Sequence, residues 1–286
     1  MKQICSLLWL LLLPLMASAA GGQPFDAFVS IMPQRYLLQR IGGEFVNVHV
    51  MVRPGQSPET YEPTPREMSR LAGASFYFSA ANPFERQWLG SIRDLNPDLR
   101  IVDCCSLLAD RYLDAHPGAA HEGEMPDPHV WTSPIKARQM ARCMADALIA
   151  FDPARKSSYE ENFQRLAQEL EGLDREIQLL LKQRRTDYIA VSHPSWGYFC
   201  DRYGLRQLSL ERHGKEQGAR RLVGLLELAR AEGIHTIFMQ KQFRTPSALA
   251  FAQELQAQIV ELDPLAEDYF ANLRAVSRHI STAINQ

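Results

Sequence analysis

The stretch DPARKSSYEENFQRLAQELEGLDREIQLLLK, residues 152–182, decides the architecture. Tyr159, Phe163, Leu166, Leu170, Leu173, Ile177 and Leu180 recur at steps of four and three, which lays one apolar stripe along a helix. Asp152 and Pro153 supply an N-cap and a first-turn proline. Lys182, Arg184 and Arg185 suit the negative end of the helix dipole. A helix from Pro153 to Lys182 would be about 45 Å long, more than one ordinary domain needs. One stripe on so long a helix fits a spine packed against material on both sides. A coiled coil is the rival, but the repeat is short and charges are scattered over the other faces.

Working outward, both flanks alternate strand and helix. Before the spine, Ala27–Met32, Val46–Val52, Ser75–Ala80 and Arg100–Cys104 read as strands, and Thr64-Pro65-Arg66-Glu67 and Asn82-Pro83-Phe84-Glu85 as capping boxes that open helices. After it, the strand candidates are Tyr188–Ser192, Leu205–Leu210, Thr236–Met239 and Gln258–Leu262. Helical stretches run near Ser195–Tyr203, Ala219–Glu232, Pro246–Leu255 and Glu267–Asn285. Such alternation predicts an α/β fold of two lobes, each with a mostly parallel four-stranded sheet, joined by a long rigid helix. The expected boundaries are an N-terminal lobe over 20–151, the connecting helix over 152–183 and a C-terminal lobe over 184–286.

The chain begins with Lys2, an apolar run Leu7–Met16 and the small residues Ala17-Ser18-Ala19. This is the pattern of a cleavable signal peptide over 1–19. The run is too short for a membrane anchor, which takes about 20 residues, and no later segment is long and apolar enough to span. The expectation is an exported, soluble chain. Lys plus Arg number 31 and Asp plus Glu 33, a net charge of −2. That balance excludes an electrostatic nucleic-acid binder. Beyond the leader stand Cys104, Cys105, Cys143 and Cys200. Export permits oxidation, and sequence does not choose among three full pairings. The simplest expectation is small buried side chains with at most one disulfide.

The signatures of P-loop, dinucleotide-binding, nucleophile-elbow and HExxH zinc enzymes are all missing. What remains is chemistry at strand ends, where open α/β sheets bind ligands. Glu59 lies in the loop after the second strand, and His129 in the connection after the fourth. His193 and Asp263 directly follow C-terminal-half strands. Two imidazoles and two carboxylates, two from each half, make a suitable shell for a divalent transition metal in a cleft between lobes. Taken singly, each has a plain structural reading: a histidine beside proline as a turn residue, Asp263 as a cap, Glu59 as exposed surface. His49 and His279 read as structural. His116 and His121 flank a Gly/Glu-rich loop, and His213 is a reserve ligand.

In their order along the chain, Ser30-Ile31-x-Pro33, Pro54-Gly55-x-x-Pro58-x-x-Tyr61-Glu62-Pro63, Asp127-Pro128-His129-Val130-Trp131, Asp152-Pro153, His193 with Tyr198, Tyr203-Gly204-Leu205 and Leu262-Asp263-Pro264-Leu265 form a specific set. With them the chain resembles the solute-binding proteins of zinc/manganese ABC transporters over nearly its whole length. The resemblance implies two α/β lobes on a rigid helix, capture of a metal ion between them, and delivery to a membrane permease. It implies Glu59, His129, His193 and Asp263 as ligands. Two departures stand out. Glu59 occupies the place where the family usually carries histidine, and Gln240 one where many members carry an acid. Three histidines would point to Zn2+; two with two acids also suit Mn2+ or Fe2+.

The expected function is therefore binding, not catalysis: a periplasmic monomer whose partners are the divalent cation, with zinc first, and an ABC-transporter permease. Binding requires neutral imidazoles, so affinity should fall as pH drops through about 6.5. Rival readings are an exported metal-dependent hydrolase using Glu62 or Glu211 as base, a binder of a larger chelate such as a siderophore or haem using Arg212, Arg220 and Arg221, and an adhesion role.

Overall fold

The computed structural model describes residues 23–110, 126–212, 215–216, 218–240, 243 and 245–286. The leader read over 1–19 and His116, His121 and His213 lie outside the described residues.

The N-terminal half builds β1 (Phe25–Val29), α1 (Met32–Gly42), β2 (Val46–Val50), α2 (Pro65–Leu71), β3 (Phe76–Ser79), α3 (Pro83–Leu95) and β4 (Arg100–Asp103). Both capping boxes form. The Glu67 carboxylate accepts from the Thr64 amide at 2.9 Å, and that of Glu85 from the Asn82 amide at 3.0 Å. Then come α4 (Pro134–Phe151) and α5 (Lys156–Leu180). The C-terminal half builds β5 (Tyr188–Val191), α6 (Gly197–Tyr203), β6 (Arg206–Ser209), the short hairpin β7 (Glu211–Arg212) and β8 (Lys215–Glu216), α7 (Ala219–Ala231), β9 (Thr236–Met239), α8 (Pro246–Leu255), β10 (Gln258–Glu261) and α9 (Tyr269–Ala283).

The main sheets are parallel throughout, in the orders β2-β1-β3-β4 and β10-β9-β5-β6. Numbered within its own half, each follows the order 2-1-3-4, so the expected alternation is a true topological duplication. In this order the connections leave in opposite directions at one strand pair, β1/β3 in one sheet and β5/β9 in the other. A crevice opens there beyond the carboxyl ends of the strands.

The spine is shorter than expected. Pro153–Arg155 form a 3-10 turn, and the α-helix proper covers 25 residues, about 37 Å. Asp152 does not cap it. Its carboxylate instead holds the Arg155 guanidinium and accepts from the Tyr159 hydroxyl at 3.2 Å. Tyr159, Phe163, Leu166, Leu170, Leu173 and Ile177 are buried as the stripe requires. The stripe ends differently: Leu180 is 39% exposed and Leu181, four residues after Ile177, takes the inner position.

The largest element that sequence reading passed over is α4, which lies along α5. Its buried face is Ala137, Met140, Ala141, Met144, Ala145 and Leu148. Small side chains give a weak hydrophobic signal, yet they allow two helices to approach closely. The spine therefore packs on α1 and α4 on one side and α9 on the other. Polar ties fix it to both halves. Asn162 Nδ2 donates to the Ile41 carbonyl at 2.9 Å, and buried Asp174 accepts from Arg202 Nε at 2.8 Å and from the Tyr203 hydroxyl at 3.1 Å. One apolar core runs without a break from the first sheet through α5 to α6 and α9, and a second, smaller one sits under α7 and α8.

Cys104 and Cys143 are joined, with Cα atoms 5.7 Å apart. Cys105 and Cys200 are buried and stand outside this disulfide. The bond ties the end of β4 to α4. Among the described residues, no helix is long and apolar enough to cross a membrane.

Candidate metal centre

The crevice holds a cavity of about 280 Å³ whose walls come from both halves. Glu59, His129 and His193 line it. Pro58, Pro128, Pro194 and Pro264, each the chain neighbour of an expected ligand, line it too. Proline fixes φ and carries no N–H, so these four stiffen the rim without adding donors that the site would have to satisfy.

His193 follows β5. Its side chain is 3% exposed and its ring is stacked on Phe243, with centroids 4.1 Å apart and planes at 9°. Nδ1 lies 3.1 Å from Oε2 of Glu211, and Nε2 lies 3.2 Å from Oε1 of Glu59. His129 opens a 3-10 turn, Val130–Thr132, that leads into α4. Its Nδ1 lies 2.7 Å from Oδ1 of the fully buried Asp127, which also accepts from the His129 amide at 2.9 Å. The two imidazoles, 64 positions apart in the chain, have centroids 5.5 Å apart and planes at 77°. Two imidazoles sharing one tetrahedral ion through Nε2 have centroids about 5 Å apart, from Zn–N distances near 2 Å. The pair therefore fits a common cation.

The segment that carries His129 is sewn to the C-terminal half by buried bonds. The Tyr198 hydroxyl donates to the Asp127 carbonyl at 3.0 Å, Trp131 Nε1 donates to the Pro264 carbonyl at 2.8 Å, and the Tyr269 hydroxyl donates to the Trp131 carbonyl at 2.7 Å. The two histidines thus stand on one rigid frame, although one was expected from each lobe. Glu59 stands apart, on the irregular connection between β2 and α2, with its side chain 25% exposed.

Asp263 is the expected ligand that the structure does not bring to the others. It follows β10, its side chain is exposed, and Oδ1 accepts from the Leu265 amide at 2.8 Å. Its neighbours Pro264 and Leu265 line the cavity, but Asp263 itself does not. Among the described residues no group of three His, Cys, Asp or Glu side chains is gathered at metal-holding spacing. Within the cavity the Glu59 carboxylate approaches His193 at Nε2.

The rival readings find less here. Glu62 is exposed and borders a separate hollow with Gly55 and Ser57, and Glu211 is engaged with His193. Arg220 and Arg221 are exposed on α7, outside the cavity lining. The side chain of Arg212 lies outside the described set. Sequence reading missed Phe243, which bears only the signal of an aromatic shortly after a strand end. It took Asn82 for a cap alone, although Asn82 and Gln240 both line the cavity.

Two duplicated parallel sheets on a helical spine, with an imidazole pair and a carboxylate at the crevice between them, define the class of two-lobed metal-binding receptors. Within that class, the chain belongs to the family described as zinc-uptake complex component A, periplasmic, which it matches over residues 28–283. A zinc-bound deletion mutant of ZnuA superposes with a TM-score of 0.84 at 35% identity, covering 92% of this chain and 99% of the other. The high-affinity zinc uptake system protein ZnuA of Bacillus subtilis is 22% identical over 257 residues, 85% of this chain and 79% of its own length. In fold alone, the laminin-binding protein of Streptococcus agalactiae, described as having both adhesin and metal-transporting activity, is also similar. Its TM-score is 0.80 at 24% identity, with 92% of this chain and all of the other covered.

Proposed function

We propose that this chain is a periplasmic receptor that captures a zinc ion in the interlobe crevice and hands it to the membrane permease of an ABC importer. Glu59, His129 and His193 are the donors already lining the cavity. Asp263 is the fourth, reaching the ion once its carboxylate leaves the Leu265 amide. The observation that carries the reading is the imidazole pair: two rings from distant segments, 5.5 Å apart at the wall of one cavity. Zinc takes nitrogen and carboxylate ligands in a closed four-coordinate shell, which leaves no position for a reacting water, so the chain binds and does not catalyse. A carboxylate in place of a third histidine keeps Mn2+ and Fe2+ as competing ions.

His193 Nε2 and Glu59 Oε1 lie 3.2 Å apart. A cation that inserts between them replaces that contact with two ligand bonds and draws the 51–64 loop onto the histidine frame. The continuous core around α5 resists rigid-body opening of the lobes, so capture and release work through this loop. The working form is a monomer exported by the leader over 1–19, with its lobes divided at the connecting helix 152–183.

Titration of the purified chain with zinc and manganese, read by calorimetry, tests this. One zinc per chain is expected, with affinity lost in His193→Ala. Undiminished affinity for both ions in that variant would reject the assignment. Elemental analysis of protein purified without chelator identifies the ion carried.

A further inference from the structure

His193 meets a carboxylate at each ring nitrogen, and the two carboxylates differ in kind. Glu59 sits on an irregular loop and is 25% exposed; the Glu211 side chain is 4% exposed. The backbone under Glu211 is pinned as well. The Ser209 hydroxyl donates to the Glu211 carbonyl at 2.8 Å and accepts from the Glu211 amide at 3.3 Å, at the start of the β7/β8 hairpin. One partner of the ring is therefore loose and faces the cavity, and the other is fixed and lies behind it.

His129 repeats the arrangement. Its Nδ1 is held by Asp127, a side chain with no exposure, whose own place is set by the His129 amide. In both rings the buried carboxylate takes Nδ1, which leaves Nε2 to face outward. The rings come from unrelated segments, so the shared polarity is a property of the site and not of a local motif. A carboxylate on the far nitrogen fixes the tautomer of a ligating histidine and raises its basicity.

From this we infer that Glu211 is a positioning residue for metal capture: it holds the His193 ring through Nδ1 and presents Nε2 to the cleft, as Asp127 does for His129. The inference rests on the metal-capture reading and deepens it. Glu211 comes from the β7/β8 hairpin of the C-terminal half. The geometry also assigns the two acids on His193 different tasks, Glu59 as ligand and Glu211 as orienting group.

Two measurements test it. First, zinc affinity is read by competition with a fluorescent chelator in Glu211→Ala and Glu211→Gln. The alanine variant is expected to lose about 10- to 100-fold. The glutamine variant keeps an oxygen facing Nδ1 and should recover most of that loss. Second, the proton position on His193 is read by 15N NMR in metal-free Glu59→Ala, where Glu211 is the carboxylate left on the ring. The proton should sit on Nδ1, and adding Glu211→Ala should move the ring towards the Nε2–H form. Unchanged zinc affinity in Glu211→Ala, equal losses in the alanine and glutamine variants, or an Nε2–H ring in Glu59→Ala would each overturn the inference. A wild-type chain that takes no zinc would instead sink the capture reading, while the NMR result still decides whether Glu211 orients the ring.

Discussion

The Nε2 nitrogen of His193 lies 3.2 Å from Oε1 of Glu59, and this contact joins the rigid and the adaptable parts of the crevice. The histidine is buried and stacked on Phe243; the glutamate is partly exposed on a loop. Glu59→Ala should lower zinc affinity by at least about tenfold, in the range for loss of a ligating or supporting group. It should leave the melting temperature of the metal-free chain nearly unchanged, because a part-exposed ion pair adds little to stability. Competition titration and a thermal melt on the same sample check both halves of this expectation.

Tyr198 offers a different kind of test. Its buried hydroxyl donates to the carbonyl of Asp127, the residue that holds His129. Tyr198→Phe leaves that carbonyl without this donor, at a cost of about 1 kcal/mol or somewhat more. Urea denaturation should show the loss. Zinc affinity should fall by less than in His129→Ala, since the ligand itself is kept and only its frame is loosened.

Glu85 makes stability depend on pH. Burial pushes its carboxyl up from 4.5 to about 7, against the pull of bonds from Ser30 and from the Ala80 and Asn82 amides. Those two amides flank Ala81, whose φ is +57°, on the wall of the cavity. Between pH 4.5 and 7 the unfolded chain has released this proton and the folded chain keeps it. The group therefore withdraws stability as pH rises through that window. Relative to wild type, Glu85→Gln should gain up to about 3 kcal/mol of unfolding free energy between pH 4.5 and pH 8, on top of any constant offset. Denaturation curves at several pH values would measure the slope; a pH-independent difference between the two proteins would refute it.

The Cys104–Cys143 bond closes a loop of 39 residues that contains Asp127 and His129. Replacing both cysteines with serine should cost about 3–4 kcal/mol, from the loop entropy restored to the unfolded chain. Comparing melts with and without a thiol reductant, on wild type and on the double variant, isolates the contribution. Cys105 and Cys200 are buried and should resist alkylation in the native protein.

Much of the fold was legible because its signals are periodic. The i, i+3, i+4 stripe from Tyr159 to Ile177 named the spine, and β-branched runs bounded by turn residues located eight strands within a few positions. The missed helix, α4, buries alanine and methionine, whose moderate hydrophobicity does not stand out without its partner helix. Asp152-Pro153 carries the local signature of a helix start. The chain spends that signal on a 3-10 turn one step earlier, because the Asp152 carboxylate finds Arg155 and Tyr159. Of the four expected ligands, three line one cavity, and Asp263 stands at its edge on its own turn.

The sequence by itself determined which residues could serve: histidines and acids beside prolines at strand ends, in an order that marks the family. The tertiary structure alone decided how they are divided. It placed His129 and His193 on one frame through Tyr198, Trp131 and Tyr269, left Glu59 on a loose loop, and set Asp127 and Glu211 behind the rings. The physical reason is range. Periodicity and turn chemistry act over a few residues, whereas this site depends on hydrogen bonds between groups 18 to more than 130 positions apart, which exist only once the shared core has brought those segments together.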